Sequence, residues 1–203
     1  MNKLIVSLLL TVGISGIAHA AGDAAAGQAK AAVCGACHGP DGNSMAPNFP
    51  KLAGQGERYL DKQLHDIKSG KRQVLEMTGL LTNLSDQDLA DIAAYFASQK
   101  GSVGAADPKI VARGEALFRG GNLDKGLPAC TGCHSPNGAG NAAAGFPHLG
   151  GQHAQYIAKQ LTDFRKEEGG RANDGDSMPM RTIARKLSDE DIAAVASYIQ
   201  GLH

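Results

Sequence analysis

The fold is decided by two copies of one short motif, Cys34-Gly35-Ala36-Cys37-His38 and Cys130-Thr131-Gly132-Cys133-His134. Together the two copies contain all four cysteines of the 203-residue chain. A zinc ribbon would place its two cysteine pairs about 15–20 residues apart. Cys37 and Cys130 are much further apart than that along the chain, so the spacing argues against a zinc site.

The setting of the motifs separates the two remaining interpretations. A thioredoxin-like dithiol would lie in a strand–helix–strand unit, and no alternating, strand-like run lies beside either motif. The histidine that follows each second cysteine favours a c-type haem, in which two thiols bond to the vinyl groups and the imidazole lies under the iron. The sequence therefore predicts two covalent haem c groups, attached at Cys34, Cys37, Cys130 and Cys133, with His38 and His134 as proximal iron ligands.

The first 20 residues have the three parts of a secretory signal peptide. Lys3 precedes an apolar run over residues 4–14, and Ala18-His19-Ala20 forms a small-residue cleavage site. A transmembrane anchor is the alternative, but the run is shorter than the 18 or more residues of a membrane span. We expect an exported protein whose mature chain starts at Ala21, in a compartment where free thiols do not persist.

Composition excludes some classes of function and indicates how the chain is stabilised. Twenty basic and twenty acidic residues give a formal charge of zero, so there is no basic excess to attract nucleic acid. Aromatic residues make up only 4% of the chain, and tryptophan is absent. Because this inventory is poor for an all-protein core, we expect each half to depend on its haem for folding.

A duplicated unit identifies candidates for the sixth iron ligand. Residues 49–55 recur as residues 146–152, and residues 84–88 recur as residues 187–191. Met77 and Met180 precede the second repeated segment by the same number of residues, and no other methionine pair matches in this way. A methionine is more commonly core filler, but the matched position predicts Met77 and Met180 as the distal ligands.

Bis-histidine ligation is the alternative to methionine, and the repeat argues against it. His65, His148 and His153 each align with a residue other than histidine in the opposite half. We therefore interpret all three as surface or loop histidines. A histidine and a methionine together fill both axial positions of the iron, and the thioether raises its reduction potential.

The remaining pattern predicts an all-α chain of two tandem domains, at 21–100 and 107–203, joined by a linker at 101–106. First helices are expected over 23–33 and from an Asp107 cap with Pro108 at the first position to residue 118. Second helices are expected over 57–68 and 154–166. Ser85 and Ser188, each followed three residues later by aspartate, resemble capping boxes that open the last helix of each half.

These motifs together resemble dihaem cytochrome c4, a tandem of two class I cytochrome c domains, over essentially all of residues 21–203. The resemblance implies two cytochrome c-like domains, each wrapped around one covalent haem, with the carbonyls of Pro50 and Pro147 accepting from the proximal imidazoles. It also implies a periplasmic or membrane-surface electron carrier of a respiratory chain. Quinol-cytochrome c oxidoreductase is then the expected donor, and a terminal oxidase is the expected acceptor.

Two other functions are compatible with a dihaem chain. A dihaem peroxidase would need an iron with a vacant or displaceable position, which the paired Met77 and Met180 argue against. A dedicated haem subunit of a larger dehydrogenase would have the same sequence features as a free carrier. We expect a carrier and no enzyme activity.

Overall fold

The computed structural model describes residues 21–203, so the predicted signal peptide lies outside the described residues. Within this range the chain forms nine α-helices and no β-strand. Pairing of β type is limited there to two isolated bridges, Asn122 with Leu127 and Asn141 with Phe146. The prediction of an all-α chain is confirmed.

The helices follow the same order in the two halves. The first half contains α1 (Ala24–Lys30), α2 (Gly35–His38), α3 (Glu57–Lys68) and α4 (Asp86–Ser98), with 3₁₀ turns at Ala31–Cys34 and Leu75–Met77. The second half contains α5 (Val111–Gly120), α6 (Thr131–His134), α7 (Ala154–Arg165), α8 (Pro179–Ala184) and α9 (Asp189–Gly201). In the first half α1, the 3₁₀ turn and α2 form an unbroken helical path that ends at the motif.

Capping boxes open α4 and α9, as the sequence predicts. The Ser85 hydroxyl accepts from the Asp88 N–H at 3.2 Å, and the Asp88 carboxylate accepts from the Ser85 N–H at 2.7 Å. Ser188 and Asp191 make the same reciprocal pair. Aspartate therefore takes the place that glutamate or glutamine holds in the usual form of this cap.

The predicted start of α5 is wrong. Asp107 and Pro108 lie in a turn, and the helix begins at Val111 with Ile110 as a cap that makes no side-chain hydrogen bond. The Asp107 carboxylate accepts from the Lys109 N–H at 2.9 Å, which closes a local turn. The Asp107 N–H meanwhile donates to the Ser197 hydroxyl on α9 at 2.8 Å, and this tertiary contact ties the segment down before the helix starts.

In each half the first and last helices cross at a glycine. A Cβ on Gly27 of α1 would lie 2.0 Å from the Asp91 carbonyl oxygen of α4. A Cβ on Gly114 of α5 would lie 2.1 Å from the Ala194 carbonyl oxygen of α9. Both distances are far below a van der Waals contact, so only glycine permits these two crossings.

The two hydrophobic cores differ in size. In the first half the core cluster contains Ala31, Leu60, Ile92, Ala93 and Phe96, two of which are alanines. The cluster of the second half is larger and includes aromatic and branched side chains from α5, α7 and α9. Cys34 packs against the first cluster and Cys130 against the second, so each attachment motif borders its core.

Reciprocal hydrogen bonds join the two halves. The Gln55 side chain donates to the His148 carbonyl and accepts from the His148 N–H, both at 2.8 Å. The Gln152 side chain pairs in the same way with the Lys51 backbone, at 2.8 and 2.9 Å. Because Gln55 corresponds to Gln152 and Lys51 to His148 in the repeat, the contact has approximate twofold symmetry.

The segment between the halves is also bound to both of them. The Ser102 N–H donates to the Asn43 side chain at 2.8 Å, and the Gly104 N–H donates to the Gln200 carbonyl at 3.1 Å.

Among residues 21–203, no helix is both long and apolar enough to cross a membrane.

The loop before the second motif, over residues 121–129, is fixed by a buried carboxylate. Asp191 accepts from Lys125 of this loop at 2.5 Å and from Arg113 of α5 at 2.6 Å. Burial alone would raise the pKa of Asp191, but the two cations and the Ser188 N–H hold it well below its usual range. The loop has no counterpart in the first half, and this ion cluster gives it a structural role.

Substituting Gly114 with alanine is expected to destabilise the second half, because the new methyl group collides with the backbone of α9. The expected loss in the free energy of unfolding is about 1–3 kcal/mol. Gly120, in the last turn of the same helix, is the matched control, because a Cβ added there would meet nothing within 4 Å. Urea unfolding should show G120A equal to or more stable than the wild type, and equal losses in both variants would contradict the close crossing.

Substituting Asp191 with asparagine is expected to lower stability at neutral pH by about 2–4 kcal/mol, because two cations lose their anion. A carboxylate whose pKa is lower in the folded than in the unfolded protein stabilises the fold at pH values above its unfolded pKa. This contribution is lost as the pH falls through the pKa of the folded protein. The deficit of D191N should therefore shrink between about pH 5 and pH 2. Urea unfolding of both proteins across this pH range measures the deficit. A deficit that stays constant with pH would contradict the lowered pKa of Asp191.

Candidate metal centres

Each attachment motif lies on a short helical segment that presents its reactive groups on one face. Cys34 and Cys37 are three residues apart and His38 is four residues from Cys34, which is the spacing of neighbours along a helix surface. Cys130 and Cys133 have the same relation in the second motif. None of the four cysteines is in a disulfide, and the first of each pair is partly buried while the second is exposed.

The two motif histidines are buried and held by a proline carbonyl. His38 Nδ1 lies 2.9 Å from the Pro50 carbonyl oxygen, and His134 Nδ1 lies 3.0 Å from the Pro147 carbonyl oxygen. A carbonyl can only accept, so Nδ1 carries the proton in both rings. The neutral ring then has its lone pair on Nε2, which is the form in which imidazole binds a metal.

The electrostatics of both motifs suit an apolar, metal-containing group. Burial lowers the pKa of His38 and His134, which favours neutral imidazole over imidazolium. Burial likewise raises the pKa of Cys34, and that of Cys130 to about 11, which favours the neutral thiol over the thiolate before a haem is attached. The donor set of two thiols and one oriented imidazole fits a covalently attached haem.

The backbone reverses directly after each motif histidine. Gly39 has φ 80° and Ser135 has φ 67°, and a Cβ on Gly39 would lie 2.9 Å from the Asn43 carbonyl oxygen. The second half therefore accommodates a serine in a conformation that favours glycine. This reversal starts the loop that brings the proline carbonyl back to the imidazole.

The two predicted distal methionines occupy different local settings. Met77 ends the 3₁₀ turn and lines a cavity of about 440 Å³ that has mixed walls, with apolar residues such as Ile67, Val74 and Leu81 beside polar and glycine residues. Met180 lies in the first turn of α8 and packs, partly buried, against the core of the second half. Met45, by contrast, is 93% exposed.

Two of the three histidines that the repeat set aside as ligands lie between the halves. The His148 Nδ1 is 3.2 Å from the Gly54 carbonyl oxygen, and the His153 Nε2 is 2.9 Å from the Ser44 carbonyl oxygen. His65 lies near Asp61 on the surface of α3, and His148 and His153 are loop residues as expected, although they also bind the opposite half. The sequence did not reveal the interface role of His148 and His153 because their partners lie in the opposite half.

An all-α fold in which two such helices each present two thiols and one oriented imidazole defines a dihaem c-type cytochrome. The cytochrome c family profile matches residues 24–100 and 111–203. The chain belongs to the cytochrome c family, and within it to the cytochrome c4 proteins.

Three relatives show how close the similarity is. The chain is 80% identical to cytochrome c4 of Pseudomonas aeruginosa over 203 residues, the full length of both chains. Its fold superposes with a TM-score of 0.88 on reduced recombinant cytochrome c4 from Pseudomonas stutzeri, at 71% identity, covering 90% of this chain and 100% of that one. It is also 38% identical to a thiosulfate dehydrogenase electron acceptor of Stutzerimonas stutzeri, covering 83% of this chain and 78% of that protein.

The expected fold class and cofactors are thereby confirmed. The chain has two cytochrome c domains in tandem, and its two motifs carry two covalent haem c groups. It is a dihaem electron-transfer protein.

Proposed function

We propose that the protein carries single electrons on two six-coordinate haems, one in each of the domains 21–100 and 107–203. Cys34, Cys37, Cys130 and Cys133 would hold the two haems through thioether bonds, and His38 with Met77 and His134 with Met180 would ligate the two irons. When bound, each haem supplies a reversible one-electron change at its iron.

One observation carries this proposal, which is the pair of hydrogen bonds from His38 to Pro50 and from His134 to Pro147. Each bond holds the Nδ1 proton, keeps Nε2 free for the iron and fixes the plane of the ring. With Met77 and Met180 as the second ligands, neither iron would have an open position for a substrate. Electron transfer without bond chemistry is the function that such a centre supports, and peroxidase activity is not.

We place the carrier in the periplasm, exported by residues 1–20 and either free or attached peripherally to the membrane surface. Its proposed donor is quinol-cytochrome c oxidoreductase and its proposed acceptor is a terminal oxidase of the respiratory chain. A net charge of zero favours docking through local patches over long-range attraction. The similarity to cytochrome c4 proteins supports this assignment.

A second candidate function is to accept electrons from a dedicated dehydrogenase. It is favoured by the 38% identity with a protein named as the electron acceptor of thiosulfate dehydrogenase. Rapid mixing separates the two roles. Fast reduction by a purified thiosulfate dehydrogenase, with slow oxidation by terminal oxidase, would assign this second role, and the reverse pattern would assign the respiratory role.

Replacing Met180 with alanine should open one iron and leave the other unchanged. The oxidised variant should lose the sulfur-to-iron charge-transfer band from one haem, and the reduced variant should bind one carbon monoxide. M77A should do the same at the first haem. M178A and M45A are the matched controls, because these exposed methionines lie in the same halves and are not proposed as ligands.

Spectra of the wild-type holoprotein test the proposed six-coordination directly. We expect two haems per chain by pyridine haemochrome, both with the methionine band and neither binding carbon monoxide. A wild-type protein that binds the gas at one haem would contradict six-coordination there and favour an enzymatic role.

A further inference from the structure

The segment that carries Met180 is closed by one ion pair. The Arg181 Nε donates to the Asp174 carboxylate at 2.6 Å, and the Arg181 Nη2 donates to the Gly175 carbonyl at 3.1 Å. Only 4% of the Asp174 side chain and 20% of the Arg181 side chain are exposed. Because the loss of either partner would leave an uncompensated charge away from water, the pair holds the segment closed.

The same carboxylate also binds the backbone beside the proposed ligand. The second carboxylate oxygen, Asp174 Oδ2, accepts from the Arg181 N–H at 3.0 Å. This N–H belongs to the peptide group that joins Met180 to Arg181. A movement of the Met180 backbone would therefore stretch a hydrogen bond to a charged acceptor, which is among the stronger kinds.

A residue in the left-handed conformation marks the start of α8. Met178 has φ 48° and ψ 44°, a conformation that residues other than glycine rarely adopt. It caps α8 without a side-chain hydrogen bond. Asp174 thus supplies, from the preceding loop, the acceptor that a capping side chain would give. Its bonds help to hold Met178 in a conformation that would otherwise relax.

The first half has no equivalent of this ion pair. In the frame that aligns the two proposed methionine ligands, Lys71 takes the place of Asp174. Thr78 takes the place of Arg181 in the same frame. A lysine and a threonine cannot form an ion pair, so the duplicated unit keeps the methionine but not the contact that supports it.

Backbone bonds hold the turn that contains Met77. The Met77 N–H donates to the Val74 carbonyl at 3.0 Å, and the Thr78 N–H donates to the Leu75 carbonyl at 3.1 Å. No side-chain hydrogen bond caps this turn, and Leu75 is 86% exposed. Neutral hydrogen bonds in an exposed turn contribute less than a bond to a buried carboxylate. The turn of Met77 is therefore held less firmly than that of Met180.

We propose that Asp174 is a positioning residue for the second haem, which acts through Arg181 to hold Met180 at its iron. Met77 lacks this support, so the first haem exchanges its methionine for another ligand more readily than the second. The two haems then differ in lability although their ligand sets are the same. The inference rests on the proposed histidine and methionine ligation of both irons.

The test is an imidazole titration of the oxidised, full-length holoprotein. Imidazole is a neutral ligand that displaces methionine from ferric haem, and loss of the sulfur-to-iron band reports the displacement. M180A and M77A assign each phase, because each variant retains one methionine band. In the wild type we expect Met77 to be displaced at a lower imidazole concentration than Met180.

D174N should make Met180 easier to displace, because the buried acceptor loses its charge. The imidazole concentration that displaces half of Met180 is expected to fall about tenfold, the factor that a hydrogen bond to a charged group supplies. The concentration for Met77 should not change. R181K keeps both the charge and the backbone N–H at this position, so it should show a smaller fall than D174N.

D191N is the matched control for a general loss of stability in the second half. It removes a buried carboxylate whose cationic partners, Arg113 and Lys125, lie outside the Met180 segment. Its imidazole titration should match that of the wild type. A fall for Met180 as large as that in D174N would overturn the inference, because it would assign the effect to stability alone.

Two other results would overturn the inference. One is displacement of Met180 at the same imidazole concentration as Met77, or at a lower one, in the wild type. The other is an unchanged concentration for Met180 in D174N. If D174N does not fold, the order of displacement in the wild type still decides. Failure of the proposed function would appear separately, as a methionine band missing from one haem before imidazole is added.

Discussion

Each half of the molecule depends on one helical segment that must present two thiols and an imidazole to the same flat, apolar group. The spacing of Cys34, Cys37 and His38 satisfies this on one helix face, and the Pro50 carbonyl then fixes the ring. The remaining elements follow from that requirement. The chain reverses at Gly39 to bring the carbonyl back, and the first and last helices cross at a glycine to close the other side.

Local chemistry explains which features were predictable from the sequence. The capping boxes at Ser85 and Ser188 and the second helix of each half depend on residues a few positions apart, so their patterns are readable. The start of α5 was not, because Asp107 is drawn into a contact with Ser197 on a distant helix. The glycine crossings were missed for a similar reason, since the extra loop at residues 121–129 displaces Gly114 from the repeat frame that Gly27 would define.

The contact between the halves shows what duplication adds to a cytochrome c domain. Gln55 and Gln152 pair with backbone groups of the opposite half and hold it through neutral hydrogen bonds. Arg72 and Arg171, in contrast, place two guanidinium groups where the halves meet, and each donates to tyrosine and glutamine side chains of the opposite half. A fixed, two-sided contact of this kind keeps the two domains in one arrangement while electrons pass through the protein. The residues that pair across this contact are distant in sequence. The repeat alignment therefore identified Gln55 and Gln152 as corresponding residues but did not reveal that they bind the opposite half.

We expect the haems to complete the two hydrophobic cores, most of all in the first half, where two of the five clustered core residues are alanines. The most direct measurement is circular dichroism with thermal unfolding of the holoprotein and of a variant with all four cysteines changed to alanine. We predict that the variant is largely unfolded and shows no cooperative transition near the holoprotein melting temperature. A cooperative transition at that temperature would contradict the claim, because it would show that the polypeptide alone forms the cores.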